Sequence, residues 1–427
     1  MITKSFEIAN GVSLKYIETD KFKTNYFSFN FVAELSRKKS CYYTMIPAIF
    51  MRGCRKYPTQ AELNKRLQYL YSGEIMARNS AFGEYQLFGI KANMLDDRFG
   101  ENVKITRDTI ELICNMIFDP YLVDGVFDKA YTKTEKISLI DVVESEKNNK
   151  GAYSVSRLKE EMCKDEVFSI SKYGTVEQIK RITAKSLYNA YLKAIKELPI
   201  EIYFVGKCDI GSIVDLLKGY FDKIERKVIS IKEAPTVEKA GDVKEVIETE
   251  NVKQGKLCLG FRTGYKVSEN KYYRIQLFNE IFGGSPTSKL FMNVREKMSL
   301  CYTCRSIVSQ RNGIMIVSSG IEFENKEIAT KAIVDQLNAI KQGEISKEEF
   351  ESAKKSLING YKQIYDCQES MESWAFYRGL CKTLSTPNDE CIKVEAASIA
   401  DIKQVAGKIT LDTIYFLQGK SVEDKND

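Results

Sequence analysis

The sequence predicts an α+β fold built as two homologous α/β-sandwich halves, each a mostly antiparallel sheet with helices packed on one face, joined by a linker. Three observations carry this expectation. The chain is written twice: Ile202 to Lys207 reads IYFVGK and Ile414 to Lys420 reads IYFLQGK. Each copy follows a helix-like stretch opened by a hydroxyl residue, Thr183 and Ser398, and a hydroxyl before a helical run is an N-cap signal. Within each half, strand patterns come first and helix patterns follow. At 427 residues the chain also exceeds a single ordinary core.

The elements read in order as follows. Tyr26 to Glu34 alternates apolar and polar side chains and predicts a strand. A helical region begins near Cys41, and Ala61 to Tyr71 repeats apolar residues at helical spacing. Tyr85 to Ala92 returns to strand alternation, and Val103 to Met116 is an amphipathic helix. In the second half Lys256 to Arg262 is a strand, and Lys271 to Phe282 and Ser288 to Glu296 are helices. Tyr302 to Val308 and Gly313 to Ile321 read as strands, Lys326 to Ile340 as helix. Lys347 to Tyr361 is a long helix, with Ser346 and Glu349 placed for a capping box. These readings divide the chain into halves at 1–221 and 255–427, with a Lys- and Glu-rich join at 222–254 that holds Pro235. Ser421 to Asp427 is polar and predicts a frayed end.

Composition excludes several classes. Hydrophobic content of 44% with 29% charged residues is that of a globular chain, not a disordered one. The net charge of +6, from 64 basic and 58 acidic residues, is too small and too dispersed for a nucleic-acid footprint. Eleven scattered cysteines do not make a secreted disulfide framework, and the first twenty residues show no apolar core of signal-peptide type. A cytoplasmic location with reduced thiols is expected, and no apolar run is long enough to span a bilayer. There is no histidine at all, so the commonest metal ligand and the commonest general base are both missing.

One stretch is dense in chemistry. Phe282 to Tyr302 reads FGGSPTSKLFMNVREKMSLCY. Gly283-Gly284-Ser285, then Ser288-Lys289-Leu290-Phe291, Val294-Arg295-Glu296-Lys297 and Leu300-Cys301-Tyr302 together resemble the second half of the pitrilysin/insulinase peptidases. A second match is Tyr173-Gly174-Thr175 through Ile179, with Ile182-Thr183 following, and the resemblance extends over nearly the whole chain. The family's zinc-bearing members carry H-x-x-E-H, in which two histidines hold the metal and Glu activates water. Met51-Arg52-Gly53 is similar to the tripeptide that follows that motif, which places the motif at Thr44 to Ala48. Thr44 and Ala48 stand where the histidines would be, and Pro47 where the general base would be. No metal is therefore expected in this chain. A proline there predicts a helix that is kinked at Pro47 or starts at it. The family's third ligand, a Glu, would fall within Phe127 to Glu135.

The resemblance implies a non-zinc subunit that pairs with a homologous zinc-bearing subunit, the two clamshells enclosing a peptide substrate. In such pairs the metal-free member contributes an Arg and a Tyr, which here match Arg295 and Tyr302. A guanidinium and a phenol aimed at the scissile carbonyl would stabilise its developing negative charge, one such donor being worth about 2.7–4 kcal/mol. Gly283, Gly284 and Ser285 are implied to form a flexible loop against the substrate; without the resemblance they read as a helix terminator. The family's Gly before Leu300 is Ser299 here, which strains the corner if that position needs φ > 0. The resemblance equally admits a purely structural subunit, or pairing of this chain with itself. Cys301-Tyr302-Thr303-Cys304 is a C-x-x-C that could be a redox pair, half a zinc knuckle or two small buried thiols. As a plain strand it would point the two cysteines to opposite faces.

Overall fold

The computed structural model describes residues 3–101, 104–265, 271–309 and 311–419; Val103 and Lys420 to Asp427, read above as a helix start and a polar end, lie outside them. Two compact units are present: 3–143 with 170–233 and Ile364–Tyr377, and Glu144–Ser169 with Ala234–Gln363 and 378–419.

The first unit holds a six-stranded sheet. Its strands are β1 (Thr3–Ala9), β2 (Val12–Glu18), β3 (Thr24–Glu34), β4 (Glu74–Phe82), β5 (Tyr85–Leu95) and, after the two-residue hairpin β6 (Leu122–Val123) and β7 (Val126–Phe127), β8 (Ile200–Gly206). The order is β1-β2-β8-β3-β5-β4. Only β2 and β8 run parallel. The alternation of β3 sends Phe27, Phe29 and Phe31 into a core with Phe88 and Ile90 of β5 and Ile202 and Phe204 of β8. Helices Ser40–Phe50, Ile105–Phe118 and Ala184–Glu197 pack over that face through their apolar stripes.

The second unit repeats the plan with β9 (Lys244–Glu250), β10 (Gly255–Arg262), β11 (Cys301–Val308), β12 (Ile314–Ile321) and β13 (Thr410–Gly419). Read from the far edge, its order β9-β13-β10-β12-β11 matches β2-β8-β3-β5-β4 strand for strand. The two IYF segments, β8 and β13, hold the same place: each has one parallel neighbour and one antiparallel neighbour. The stretch 222–254, read as a join, contributes the edge strand β9. The capping readings hold, since Thr183 with Ser186, Ser346 with Glu349 and Ser398 with Asp401 each close reciprocal N-terminal hydrogen bonds.

Each sheet also carries a helix on its other face, and each of these helices comes from a distant stretch of chain. Helix Gln368–Leu380 lies across the first sheet. Gln368 bridges the Thr24 and Val205 carbonyls at 2.7 and 2.9 Å, and the fully buried Glu372 accepts from Ser28 at 3.0 Å and Arg78 at 2.6 Å. Helix Lys150–Met162 lies across the second sheet. There Glu248 accepts from Tyr153, Tyr415 and Arg157 at 2.5, 2.8 and 3.2 Å. The buried Arg262 joins Glu166, Asp412 and the Met162 carbonyl at 2.7 to 2.9 Å. Burial alone would hold Arg262 back from ionising, and these two carboxylates raise its affinity for the proton instead.

Candidate functional site

The Thr44 to Ala48 stretch lies inside helix Ser40–Phe50. The helix neither starts nor stops at Pro47, which sits buried in its last turns. The lost N–H bond is tolerated because eight of the eleven helix residues are buried against the core. Thr44 is held by neutral partners: its hydroxyl lies 2.5 Å from the Lys172 carbonyl and accepts from Asn79 at 2.9 Å and Gln86 at 3.2 Å. Gln86 in turn donates to Asn79 and to the same Lys172 carbonyl. Ala48 offers no donor atom. Glu135 on helix Lys129–Ser145, the carboxylate closest in sequence to the expected third ligand, is ion-paired with Arg52 at 2.5 Å.

This donor set does not fit a zinc ion. Thr44 sits among amide and hydroxyl partners, Ala48 offers no ligand atom, and the Glu135 carboxylate is already paired with a guanidinium. Among the described residues no group of three Cys, Asp or Glu is placed to hold a metal.

The second unit carries the Arg and Tyr. Helix Tyr272–Asn279 runs on into a π-wound turn, Glu280–Gly284, and a second π-wound segment spans Leu290–Lys297. Such widened turns are rare and gather at functional sites. The flexible loop expected at Gly283 and Gly284 is not what the structure holds. Gly283 is buried, and a Cβ there would come within 2.8 Å of Leu290 and Ser306. A Cβ on Gly284 would meet the Asn279 side chain at 2.5 Å. The glycines are demanded by close packing at a helix end, nearer to the helix-terminator reading. Ser285 is buried and donates to the Glu280 carbonyl at 3.0 Å. Of the three, Gly284 alone is exposed.

The Leu290–Lys297 segment buries Leu290 and Val294 and leaves Arg295 partly exposed. The Arg295 guanidinium lies 4.4 Å over the Phe291 ring, and its ion pair with Glu296 is long at 3.6 Å. The helix then ends on Ser299 at φ +53°, which places this serine in the left-handed region. That turn lets the Leu300 N–H return to the Val294 carbonyl at 3.2 Å and sends the chain directly into β11.

β11 is an edge strand paired only with β12. Its register slips at its first residues: Cys301 faces Ile321 and Thr303 faces Gly320, so Tyr302 is an extra residue, the apex of a β-bulge. Tyr302 projects to solvent with 66% of its surface exposed. The bulge also corrects the expectation for the C-x-x-C. Cys301 and Cys304 are both buried, on one face of the strand, because the extra residue shifts the alternation by one. The neighbouring Cys304 thiol above all, with Ser319 and the positive charge of Arg295, brings Cys301 down to about 7, while Cys304 is pushed well up. The sequence marked the C-x-x-C but set its thiols on opposite faces, because no alternation pattern marks a bulge.

Comparison with known proteins agrees with this geometry. A family model described as the peptidase M16 inactive domain matches residues 181–357. The probable inactive metalloprotease YmfF of Bacillus subtilis (strain 168) is 30% identical over 410 residues, 96% of each chain. The antilisterial bacteriocin subtilosin biosynthesis protein AlbE of Bacillus subtilis is 22% identical over 82% of this chain and 85% of its own. The uncharacterized zinc protease YmxG of Bacillus subtilis (strain 168) is 30% identical over 24% of this chain and 26% of its own. A conserved protein from Enterococcus faecalis V583 superposes with a TM-score of 0.91 at 28% identity, over 98% of this chain and 99% of that one. With YmfF matched over 96% of each chain at 30% identity, the chain belongs to the M16 peptidase family, on its inactive, non-zinc side.

Proposed function

We propose that this chain is the catalytically incomplete subunit of a heterodimeric zinc metallopeptidase. It holds peptide substrate while a homologous H-x-x-E-H subunit carries the metal. Arg295 and Tyr302 are its contribution to the reaction. The observation that carries this reading is their joint presentation. A left-handed Ser299 and a bulged strand start leave a guanidinium with only a long ion pair, on the segment that packs against β11, and a phenol exposed to solvent at the start of that strand. A guanidinium and a phenol are both hydrogen-bond donors. Donation to a carbonyl oxygen that gains charge during attack lowers the barrier only where the charge develops. Gly284 and the adjoining Ser285 would border the bound peptide.

The AlbE relative is named for biosynthesis of the bacteriocin subtilosin, and we infer a peptidic substrate class here. The eleven unpaired thiols support a reducing, cytoplasmic setting, and no helix among the described residues is long and apolar enough to cross a membrane.

The test is reconstitution. The chain is mixed with an H-x-x-E-H homologue, and peptide turnover is compared for wild type, Arg295→Ala and Tyr302→Phe. Each substitution is expected to lower kcat by about 10²–10³-fold. Unchanged turnover with both variants would assign the chain a purely structural role in the assembly. Chelator-sensitive hydrolysis by the chain alone would overturn the reading.

A further inference from the structure

The C-x-x-C at the start of β11 has chemistry that the proposed peptidase role does not use. An unbulged strand would separate residues three apart by about 10 Å and turn them to opposite faces, outside disulfide geometry. The bulge at Tyr302 kinks the strand and turns both side chains to the buried face, where each thiol shifts the proton affinity of the other. The Ser319 hydroxyl, paired across the strands with Cys304 on β12 and buried without a hydrogen-bond partner, leaves an unused donor beside the pair. Arg295 supplies positive charge from the preceding helix.

We propose that Cys301 and Cys304 are a peroxide-sensitive dithiol that closes to a disulfide around Tyr302 and Thr303. Cys301 is the attacking sulfur. It lies at the edge of the buried layer with 9% of its surface open, next to the exposed Tyr302, whereas Cys304 is deeper at 4%. Its lowered proton affinity supplies thiolate near neutral pH. The thiolate attacks one oxygen of a hydroperoxide. The O–O bond breaks, hydroxide leaves and takes a proton to become water, and Cys301 becomes a sulfenic acid. The Cys304 sulfur then attacks the Cys301 sulfur. The S–S bond forms, the S–O bond breaks, and the departing hydroxide leaves as water with the Cys304 proton. Two thiols are oxidised and one peroxide is reduced to two waters.

The other thiols lack this combination. Cys114, Cys163 and Cys258 are fully buried, and burial pushes each of them up. Cys367 is exposed but stands outside this pair. Closure to an S–S length of about 2.05 Å draws the bulge tighter, and the ring it forms encloses the residue whose phenol projects to solvent. The oxidation itself does not depend on the catalytic role assigned to Tyr302.

The test uses the full chain and hydrogen peroxide. Reduced protein is treated with a small molar excess of peroxide, blocked with N-ethylmaleimide and digested with trypsin, which releases both cysteines in one peptide, Met298 to Arg305. The expected product is that peptide lighter by two hydrogens, with both maleimide adducts lost and both restored after dithiothreitol. It should appear before Cys114, Cys163 or Cys258 loses its adduct. Oxygen added at Met298 in the same peptide leaves the thiol count unaffected. Full maleimide labelling of both cysteines, at a peroxide dose that has already oxidised Cys367, would overturn the proposal. So would a sulfenic acid that persists on Cys301 without closing. In Cys304→Ser the sulfenic acid should accumulate on Cys301 and be trapped by dimedone. The wild-type mapping decides the question even if that variant fails to fold.

Discussion

Arg52 and Glu135 are locked together: Nε and a terminal nitrogen of the guanidinium both lie 2.5 Å from one oxygen of a carboxylate that keeps only 12% of its surface. The pair joins the end of helix Ser40–Phe50 to helix Lys129–Ser145 and occupies the carboxylate closest in sequence to a metal-ligand position. The carboxylate is thus neutralised by a cation of the protein's own.

Arg52→Ala should therefore cost about 2 kcal/mol, because it leaves a mostly buried carboxylate without its donor. A urea titration reads the loss as a lower midpoint at unchanged slope. Equilibrium dialysis of wild type against zinc should show no stoichiometric uptake, and one tightly held ion per chain would contradict the site geometry.

Glu372 is fully buried between Ser28 and Arg78, and Arg78 itself is 10% exposed. Glu372→Ala strands a buried guanidinium and should cost about 3–5 kcal/mol. The exposed pair Lys4 and Glu18 provides the comparison, and Lys4→Ala should change stability by less than about 1 kcal/mol. Denaturant midpoints of the two variants, measured side by side, check the contrast.

Ser299 holds φ +53°, a region that costs an L-residue about 1–2 kcal/mol and glycine almost nothing. Ser299→Gly should raise stability by about 1 kcal/mol, and Ser299→Val should lower it. Thermal midpoints give the sign directly.

The reactivity of Cys301 should follow pH with its inflection near neutrality. The neighbouring Cys304 thiol, with help from Ser319 and Arg295, holds it at about 7. The thiolate is the nucleophile, so alkylation by iodoacetamide should be slow below that pH, rise through it and level off above it. Cys304→Ala and Ser319→Ala should each move the inflection upward. Cys163 and Cys258, both pushed up to about 12, should stay unreactive across the same range in folded protein.

Much of this was legible in the residues, for physical reasons that also mark where legibility stops. Tyr26 to Glu34 alternates because one face of β3 meets Phe88 and Ile202, so period two was written into it. The repeat of IYF marked the duplication, and its two copies prove to be the corresponding strands β8 and β13, each flanked on both sides. The expectation of no metal rested on the resemblance, which set Thr44, Pro47 and Ala48 where ligands and a base would stand. The exchanged helices were not legible. An amphipathic stripe on Lys150–Met162 says that it must bury a face, not which sheet receives it. The bulge was invisible too, because Cys-Tyr-Thr-Cys supports either register until β12 pins Thr303 opposite Gly320. The π winding over Leu290–Lys297 adds less than a full residue per turn, too little to disturb a stripe read over two turns.

The helix that covers the far side of the first sheet has a consequence during synthesis. Its residues, Gln368 to Tyr377, leave the ribosome long after β1 to β8 have been made. If early segments organise first, that sheet must stand for a time with one side bare to water. The residues waiting there include Ser28, Asn30, Arg78 and Lys91, which hydrate until Glu369 and Glu372 arrive, beside an apolar patch of Ile17, Tyr26 and Val205 that Met371 later covers. The polar and charged groups interrupt that patch and limit what the nascent chain can aggregate through before its late-coming lid.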